Sequence, residues 1–218
     1  MNLDRSILIS AALKILDEVG LEGLTLRRLA SDLGVQAPAL YWHFKNKQEL
    51  LDEMATTVFL EGTRKLQVKP GASWKKWMMQ YGKGLRQILL SHRDGARMIS
   101  GTRITDVSLY GPMENSLRFL AKEGFSTYRS VLVMSTIYSY VIGFVIEQQA
   151  VTSASEEPVN VYDPKIRAAR MDAEKHPLAI EAGKFLFQEF DRHFEDGMKL
   201  IIDGVSAQKP SKRKHKKD

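Results

Sequence analysis

Apolar residues recur every three or four positions along the first part of the chain, which is the spacing of one helical face. Within residues 3–19 these positions are Ile7, Leu8, Ala11, Ala12, Ile15, Leu16 and Val19. Glycine readily adopts backbone conformations that end a helix, so Gly20 predicts the end of this segment. The pattern therefore predicts one amphipathic helix at the start of the fold.

Two short helices are predicted next. Thr25 is expected to cap the first of them, and Gly34 is expected to end it. Pro38 suits the first turn of the second, because that turn does not use the backbone N–H that proline lacks. This second short helix is expected to run to about Phe44.

The rest of the chain also has helical spacing. Asn46 followed by Glu49 predicts a capping box that opens a longer helix. Lys69-Pro70-Gly71 marks a boundary, and the stretch from Thr152 to Pro158 is typical of a loop. Further helices are expected near 73–92, 106–122, 126–149, 163–174 and 178–205. No alternating strand of useful length is present, so the predicted fold class is all-α.

The two short helices around Gly34-Val35-Gln36-Ala37 have the pattern of a helix-turn-helix. In that motif the second helix enters the major groove of DNA. Exposed Tyr41, Trp42 and His43 would be costly unless they touched something, and they suit a sugar-phosphate wall. A packed helical corner that buries Trp42 and Phe44 remains an alternative at this point.

The motif resembles the DNA-binding domain of the TetR family of transcriptional repressors. The resemblance lies in residues 25–30, 34–35, 38–47 and 50–51, above all in the run Tyr-Trp-His-x-x-Asn-Lys. It continues into the ligand-binding core of the tetracycline repressor subfamily at residues 90–96, 101–103, 114–115 and 200–204.

The resemblance implies an N-terminal three-helix DNA-binding domain joined to a larger helical ligand-binding and dimerisation domain. The expected domains are residues 1–47, a connecting helix over 48–66, a ligand-binding and dimerisation domain over 67–206, and a tail over 207–218. The implied partners are double-stranded palindromic operator DNA, a small-molecule inducer and a second copy of the chain. Repression and a response to an antibiotic-like compound are the implied functions.

The resemblance also implies which residues touch DNA. Arg27 and Pro38 would lie against base edges, and a guanidinium such as that of Arg27 can grip guanine through two acceptors. The expected DNA-binding residues are Thr25, Arg27, Gln36, Ala37, Pro38, Ala39, Tyr41, Trp42, His43 and Lys47. Ala37 stands where the subfamily has a base-reading glutamine, so the operator sequence is expected to differ there.

A pocket for the inducer is implied in the larger domain. The expected lining residues are Tyr81, Leu85, Ile99, Thr102, Arg103, Met113, Ser116, Leu117, Ser135, Ser139 and Glu147. Ile99 replaces the histidine that binds drug-chelated magnesium in the subfamily, and isoleucine offers no ligand atom. We therefore expect no cofactor and no protein-bound metal, and a planar aromatic or polyketide-like ligand. A structural ion pair remains an alternative role for Arg103.

The net charge of +6 does not by itself indicate DNA binding. Residues 209–218 hold six basic residues and one acidic residue, so the other 208 residues hold 26 basic and 25 acidic ones. The basic excess belongs to the tail, which is expected to be solvated and to add non-specific phosphate attraction. A DNA-binding protein without a small-molecule inducer is thus one alternative function.

The amino-acid composition limits which other classes of protein and which cellular locations fit this chain. The chain has no cysteine, which suits the cytoplasm and excludes disulfides and thiolate metal sites. No secretory signal is visible, and the apolar stretch from Val131 to Ile146 is shorter than the about 20 residues of a membrane span.

The sequence His92-Arg93-Asp94 raises the alternative of an enzyme, for which Glu147 is a further candidate. These residues lack a nucleophile motif, and a helix end that anchors a loop explains them better.

Overall fold

The computed structural model describes residues 4–65, 71–103, 106–154 and 159–208. These ranges contain no strand, which confirms the all-α prediction. A short 3₁₀ turn spans Val107–Leu109. The helices are α1 (Arg5–Gly23), α2 (Leu26–Asp32), α3 (Ala37–Tyr41), α4 (Lys47–Lys65), α5 (Trp74–Leu89), α6 (Gly95–Ser100), α7 (Tyr110–Lys122), α8 (Thr127–Ala154), α9 (Pro164–Ala168), α10 (Pro177–Leu186) and α11 (Phe190–Ala207).

Helices α1 to α4 form a small bundle around one apolar core. The fully buried side chains are Leu8, Ala12, Leu16, Leu24, Leu29, Leu40, Phe44, Leu50, Met54 and Ala55. The break predicted at Gly20 is present, because this residue leaves helical geometry with φ 72° and ψ 179°. Helical hydrogen bonding nevertheless resumes and carries α1 to Gly23, three residues beyond the break.

Helix α5 lies at the centre of the C-terminal region. It packs against α4, α6, α8 and α11. One face of α5 buries Trp77, Met78, Leu85 and Leu89, which repeat at the three- and four-residue spacing of an amphipathic helix. Because α5 also touches α4, it connects the C-terminal core to the N-terminal bundle.

The structure corrects several predicted helix boundaries. The segment expected over 178–205 is two helices, and Glu189 between them has the left-handed φ of 51°. Only Pro164–Ala168 is helical within the predicted 163–174. The loop expected from Thr152 is wrong at its start, since α8 continues to Ala154, and residues 155–158 lie outside the described ranges. Amphipathic spacing locates helical segments well but does not detect breaks inside an apolar run.

Helix α8 is the longest helix in the described ranges, and it is strongly apolar. By length and composition, its segment Thr127–Ser153 is the one described helix that could cross a membrane, with a mean hydropathy of 1.6. The core helix of a soluble protein passes the same test, although only 28% of the α8 window is buried within this chain. Tyr128, Val131 and Leu132 are among its exposed apolar side chains.

Candidate functional site

The two helices of the predicted helix-turn-helix are held by local caps. The Thr25 hydroxyl accepts a hydrogen bond from the backbone N–H of Arg28 at 3.1 Å, which confirms the predicted cap of α2. Gly34, with a φ of 64°, lies in the turn, and Pro38 lies in the first turn of α3. Helix α3 ends at Tyr41 rather than near Phe44, so the second helix is very short.

Aromatic side chains at and just after the end of α3 differ in their exposure to solvent. Phe44 is fully buried in the bundle, whereas Trp42 is 90% exposed and Tyr41 is also exposed. The alternative of a corner that buries both Trp42 and Phe44 is therefore wrong for Trp42. An indole this exposed has no core to stabilise it, and a nucleic-acid backbone would give it a contact surface.

Arg5 fixes the corner between α3 and α4 against the start of α1. Its guanidinium donates to the backbone carbonyl of His43 at 2.6 Å and pairs with Glu53 at 3.0 Å. It also lies over the ring of Phe44, 5.4 Å from the centroid. Burial raises the pKa of Glu53, while the charge of Arg5 opposes that rise. These contacts orient the loop that follows the exposed indole.

The predicted capping box at the start of α4 is present in a modified form. Asn46 accepts from the N–H of Glu49 at 3.0 Å, and the Glu49 carboxylate accepts from the N–H of Lys45 at 2.8 Å. The ammonium of Lys47 donates to the carbonyl of Leu21 at 2.8 Å, so this predicted phosphate ligand is half-buried and already has one partner.

The predicted DNA-binding residues differ in their exposure to solvent. Among the described residues, no hydrogen bond or ion pair involves the guanidinium of Arg27, which leaves its donors available. The exposed members are Thr25, Arg27, Gln36, Pro38, Tyr41 and Trp42, and the half-buried ones are Ala37, Ala39, His43 and Lys47. Their contacts with DNA stay a prediction.

The turn between α5 and α6 anchors the N-terminal bundle, which confirms the structural interpretation of His92-Arg93-Asp94. Asp17 accepts hydrogen bonds from the N–H of Arg93 at 2.9 Å and lies 2.9 Å from the His92 ring nitrogen Nδ1. Asp94 accepts from the N–H of Leu21 at 2.8 Å. On the other side of the turn, the side-chain amide of Gln149 donates to the carbonyl of His92 at 2.8 Å.

A second contact joins α4 to the turn that follows α6. The Gln48 amide donates to the carbonyl of Gly101 at 3.2 Å, and the Asp52 carboxylate accepts from the N–H of Arg103 at 3.1 Å. The Thr102 hydroxyl donates to the carbonyl of Ile99 at 2.9 Å. Helix α4 is therefore hydrogen-bonded to the segment in which three of the predicted ligand-binding residues lie.

An aromatic group formed by Trp77, Tyr81 and Phe119 lies where α5 meets α7. The rings of Trp77 and Tyr81 stack with centroids 5.3 Å apart, and Phe119 tilts against Trp77 at 5.6 Å. Burial raises the pKa of Tyr81 to about 12, and the neighbouring Tyr138 adds to that rise. Both phenols therefore stay protonated and act as hydrogen-bond donors near neutral pH.

The predicted pocket residues have unequal environments. Leu85 and Ile99 are each only 1% exposed. Tyr81, Thr102, Ser116 and Leu117 are half-buried, whereas Arg103, Met113, Ser135, Ser139 and Glu147 are exposed. Ser135, Ser139 and Glu147 share the side of α8 turned away from the core of this chain. The assignment of all eleven residues to one pocket stays a prediction.

Two residues that were not predicted are important in this region. Tyr138 of α8 is half-buried and packs against the apolar core, and its position three residues after Ser135 on a helix was the available signal. Arg86 joins three helices, since it donates to Gln148 of α8 at 3.0 Å and to Asp191 of α11 at 2.7 Å. Its guanidinium also lies 4.9 Å from the ring centre of Phe194. Within a single helix, nothing marks an arginine as a link between helices.

The described residues offer few donors for a metal ion near the predicted pocket. In the ranges that the structure describes, no group of three histidine, aspartate or glutamate side chains could hold a metal ion. Ile99 is buried among apolar side chains and supplies no ligand atom. Ile99 therefore cannot itself ligate magnesium, and a ligand that needs no metal stays a prediction.

Comparisons with known proteins cover both halves of the chain. Residues 8–54 match the family model for bacterial regulatory proteins of the tetR family, and residues 68–209 match the tetracyclin repressor-like C-terminal domain. The tetracycline repressor protein class A from transposon 1721 of Escherichia coli is 38% identical, and the match covers 92% of this chain and 89% of that protein.

Two solved structures have the same fold over nearly the whole chain. The crystal structure of TetR from Acinetobacter baumannii AYE gives a TM-score of 0.74 at 35% identity, covering 94% of this chain and 98% of that one. The class A TetR in complex with 5a,6-anhydrotetracycline and magnesium gives a TM-score of 0.70 at 32% identity, covering 95% and 100%.

Proposed function

Because this chain belongs to the TetR family of ligand-responsive, DNA-binding transcriptional repressors, we propose that it binds a palindromic operator as a cytoplasmic homodimer. A planar aromatic or polyketide-like ligand that needs no metal releases it. The observation that carries the DNA-binding surface is the 90% exposed Trp42 at the end of a capped helix-turn-helix. No catalytic role is assigned to His92 or Glu147, since His92 anchors the N-terminal bundle and Glu147 is exposed on α8.

The exposed apolar side chains of the C-terminal region support a dimer. On α8 and α11 these include Tyr128, Val131, Leu132 and Leu200. Apolar side chains on two adjacent helices, α8 and α11, which pack against each other, can form a four-helix bundle with the same helices of a second copy. A twofold axis then places two recognition helices on half-sites one helical turn, or a multiple of it, apart.

Release follows from the contacts of α4. A ligand beside Thr102 and Arg103 changes the turn to which Gln48 and Asp52 are hydrogen-bonded. Displacement of that turn moves α4 and, with it, the recognition helix. The ligand must bind the released state more tightly than the operator-bound state, because otherwise it does not shift the equilibrium. The coupling is reciprocal, so the operator weakens ligand binding by the same factor.

The experiment that tests the DNA-binding surface is a footprint and a gel-shift series on palindromes upstream of the gene. Arg27→Ala is expected to cost about 1–3 kcal/mol of operator binding and to reduce discrimination among operator variants. Arg118→Ala is the matched control, since Arg118 is an exposed α7 residue paired with Glu114. Equal operator binding by Arg27→Ala and Arg118→Ala would contradict the proposed surface.

Two further measurements test the rest of the proposal. Sedimentation of the purified protein is expected to give a dimer, and a monomer at operator-binding concentrations would rule out the twofold arrangement. Release of the operator by an aromatic inducer is expected to be equally effective in EDTA and in magnesium. A strict magnesium requirement would refute the metal-free part of the proposal.

A further inference from the structure

The corner between α3 and α4 carries the exposed Trp42, and the helix before it is too short to fix the position of that side chain. Helix α3 has five residues and ends at Tyr41. The backbone N–H groups of His43 and Phe44 both donate to the carbonyl of Leu40 at 2.9 Å. A helix of this length is not stable by itself, so tertiary contacts must hold the corner in place.

Arg5 supplies such a contact from the first turn of α1. Its guanidinium donates to the carbonyl of His43 at 2.6 Å and pairs with the carboxylates of Glu53 at 3.0 Å and Glu49 at 3.6 Å. The same group lies over the ring of Phe44, which is fully buried beneath the corner. One side chain therefore joins the start of α1, the corner and the first turns of α4.

The positive charge of Arg5 is offset within the protein. Glu49 and Glu53 are four residues apart on α4, so their carboxylates are neighbours of like charge, and the guanidinium lies against both. Glu49 also accepts from the N–H of Lys45 at 2.8 Å, which keeps its carboxylate at the corner. Two acidic partners and one carbonyl engage the guanidinium, so its charge is not available to neutralise a phosphate.

We infer that Arg5 is a positioning residue for operator binding: it holds the corner so that Trp42 and His43 meet the sugar-phosphate backbone in a fixed arrangement, and it does not itself contact DNA. This inference rests on the proposed function and adds a residue of α1 to its DNA-binding machinery. Without Arg5, the two side chains must be ordered at the moment of binding, and that loss of conformational freedom lowers the affinity for the operator.

The first test measures operator affinity as a function of salt, with a labelled duplex of the footprinted palindrome as the probe. Arg5→Ala is expected to weaken binding about 5- to 20-fold, the effect of ordering two side chains. The slope of log K against log salt is expected to keep its wild-type value, because no phosphate contact is lost. Lys14→Ala removes another exposed cation of α1, paired with Glu18, and is the matched control with wild-type affinity.

The variant Arg5→Lys separates geometry from charge. Lysine keeps the positive charge, but its ammonium cannot reach three acceptors with the planar set of donors that a guanidinium has. Arg5→Lys is therefore expected to regain only part of the affinity that Arg5→Ala loses. Full recovery by lysine would show that charge alone matters, and it would overturn the inference.

Fluorine NMR of protein labelled with 5-fluorotryptophan reports on the corner directly. The chain has three tryptophans, and the other two, Trp74 and Trp77, are buried in the C-terminal region. Arg5→Ala is expected to change the shift and linewidth of the Trp42 resonance alone, which is assigned with Trp42→Phe. An unchanged Trp42 resonance would overturn the inference. Movement of all three resonances would do so as well, because it would indicate a general loss of structure.

A double-variant cycle connects the position of the corner to operator binding. Trp42→Ala is expected to weaken operator binding less in the Arg5→Ala protein than in the wild-type protein, because the indole is already displaced there. Equal effects in the two backgrounds would contradict the inference. A salt slope lowered by about one in Arg5→Ala would also contradict it, since that is the sign of a direct phosphate contact.

Failure of the proposed function would give a different result. If Trp42→Ala leaves operator binding of the otherwise wild-type protein unchanged, the proposed DNA-binding surface is wrong whatever Arg5 does. If Trp42→Ala weakens binding and the Arg5 variants behave like Lys14→Ala, the surface stands and only the positioning role of Arg5 is wrong.

Discussion

The His92 ring nitrogen Nδ1 and the Asp17 carboxylate lie 2.9 Å apart although 75 residues separate them in the chain. Asp17 belongs to α1 of the N-terminal bundle, and His92 follows α5 of the C-terminal region. The same carboxylate accepts from the N–H of Arg93. One acidic side chain therefore ties the DNA-binding bundle to the region that holds the proposed ligand pocket.

Removal of this carboxylate is expected to loosen the joint between the two regions. Asp17→Ala should lower the free energy of unfolding by about 0.5–1 kcal/mol, because the pair is partly exposed. It should also reduce the factor by which an inducer weakens operator binding. Urea unfolding, and gel shifts with and without the planar trihydroxyanthraquinone emodin as an inducer, measure the two effects. Lys14→Ala, which removes an exposed pair with Glu18 on the same helix, should change neither.

Gly20 is expected to be the least replaceable residue of this joint. Its φ of 72° and ψ of 179° lie in a region nearly restricted to glycine, and an added Cβ would lie 2.8 Å from the Asp94 carboxylate. Gly20→Ala should therefore cost about 1–3 kcal/mol of stability in urea unfolding.

The control for this change is Gly34→Ala. Gly34 also has a positive φ, but an added Cβ there would meet no atom within 4 Å. Gly34→Ala should therefore lower the free energy of unfolding through backbone strain alone, by about 1–2 kcal/mol. In the Gly20→Ala/Asp94→Ala double variant, relief of the steric conflict should make the total smaller than the sum of the single changes. If the stability losses of the two single variants simply add, the Asp94 carboxylate does not contribute to the cost of Gly20→Ala.

Arg86 is expected to be the most important polar residue of the C-terminal core. Its side chain is 11% exposed, and it donates to both Gln148 and Asp191. Arg86→Ala should lower the free energy of unfolding by about 2–3 kcal/mol, because it leaves the half-buried side-chain carbonyl of Gln148 without its charged donor.

Arg86→Lys should restore only part of this stability, since an ammonium cannot reproduce the planar set of donors. Asp191→Ala is the control: this carboxylate is 91% exposed, and its removal should change stability by at most about 0.5 kcal/mol. An Arg86→Ala protein as stable as the Asp191→Ala protein would exclude the proposed role.

Stability at alkaline pH should depend on Tyr81. Its folded-state pKa of about 12 lies above the ordinary tyrosine value of 10.0, so the unfolded chain releases the proton first. The resulting stabilisation is fully present below pH 10 and is lost as the pH rises from 10 to 12. Its size is on the order of 2 kcal/mol.

Urea unfolding at pH 9, 10 and 11 should therefore show a smaller decline for Tyr81→Phe than for the wild-type protein. Tyr128→Phe serves as the comparison, because Tyr128 is exposed and its change should leave the wild-type decline intact. Identical pH profiles for all three proteins would mean that Tyr81 is not desolvated in solution.

Lys47 should contribute to operator binding without selecting the operator sequence. Lys47→Ala is expected to weaken binding to every operator variant alike and to reduce the slope of log K against log salt by about one. Its ammonium also donates to the carbonyl of Leu21, so part of the loss would reflect the position of α4. Lys75→Ala on α5 is the charge-matched control, and an equal slope for both variants would exclude a phosphate contact by Lys47.

The sequence by itself determined the all-α class, the cap at Thr25, the break at Gly20 and the helix-turn-helix. These features depend on residues a few positions apart, so the chain encodes them locally through apolar spacing, capping side chains and glycine. The resemblance to the TetR family rests on the same kind of short-range pattern. The sequence pattern placed Phe44 at a helical corner, but it did not show that Phe44 is buried while Trp42 is exposed.

Only the tertiary structure decided which distant residues meet. The contacts of Asp17 with His92, of Arg86 with Gln148 and of Trp77 with Phe119 each join residues far apart in the chain, and no single helix shows which of its residues will face another element. The break at Glu189 was hidden for a related reason, since the apolar pattern continues through it. Long-range packing selects such partners, and it is absent from any local window of the chain.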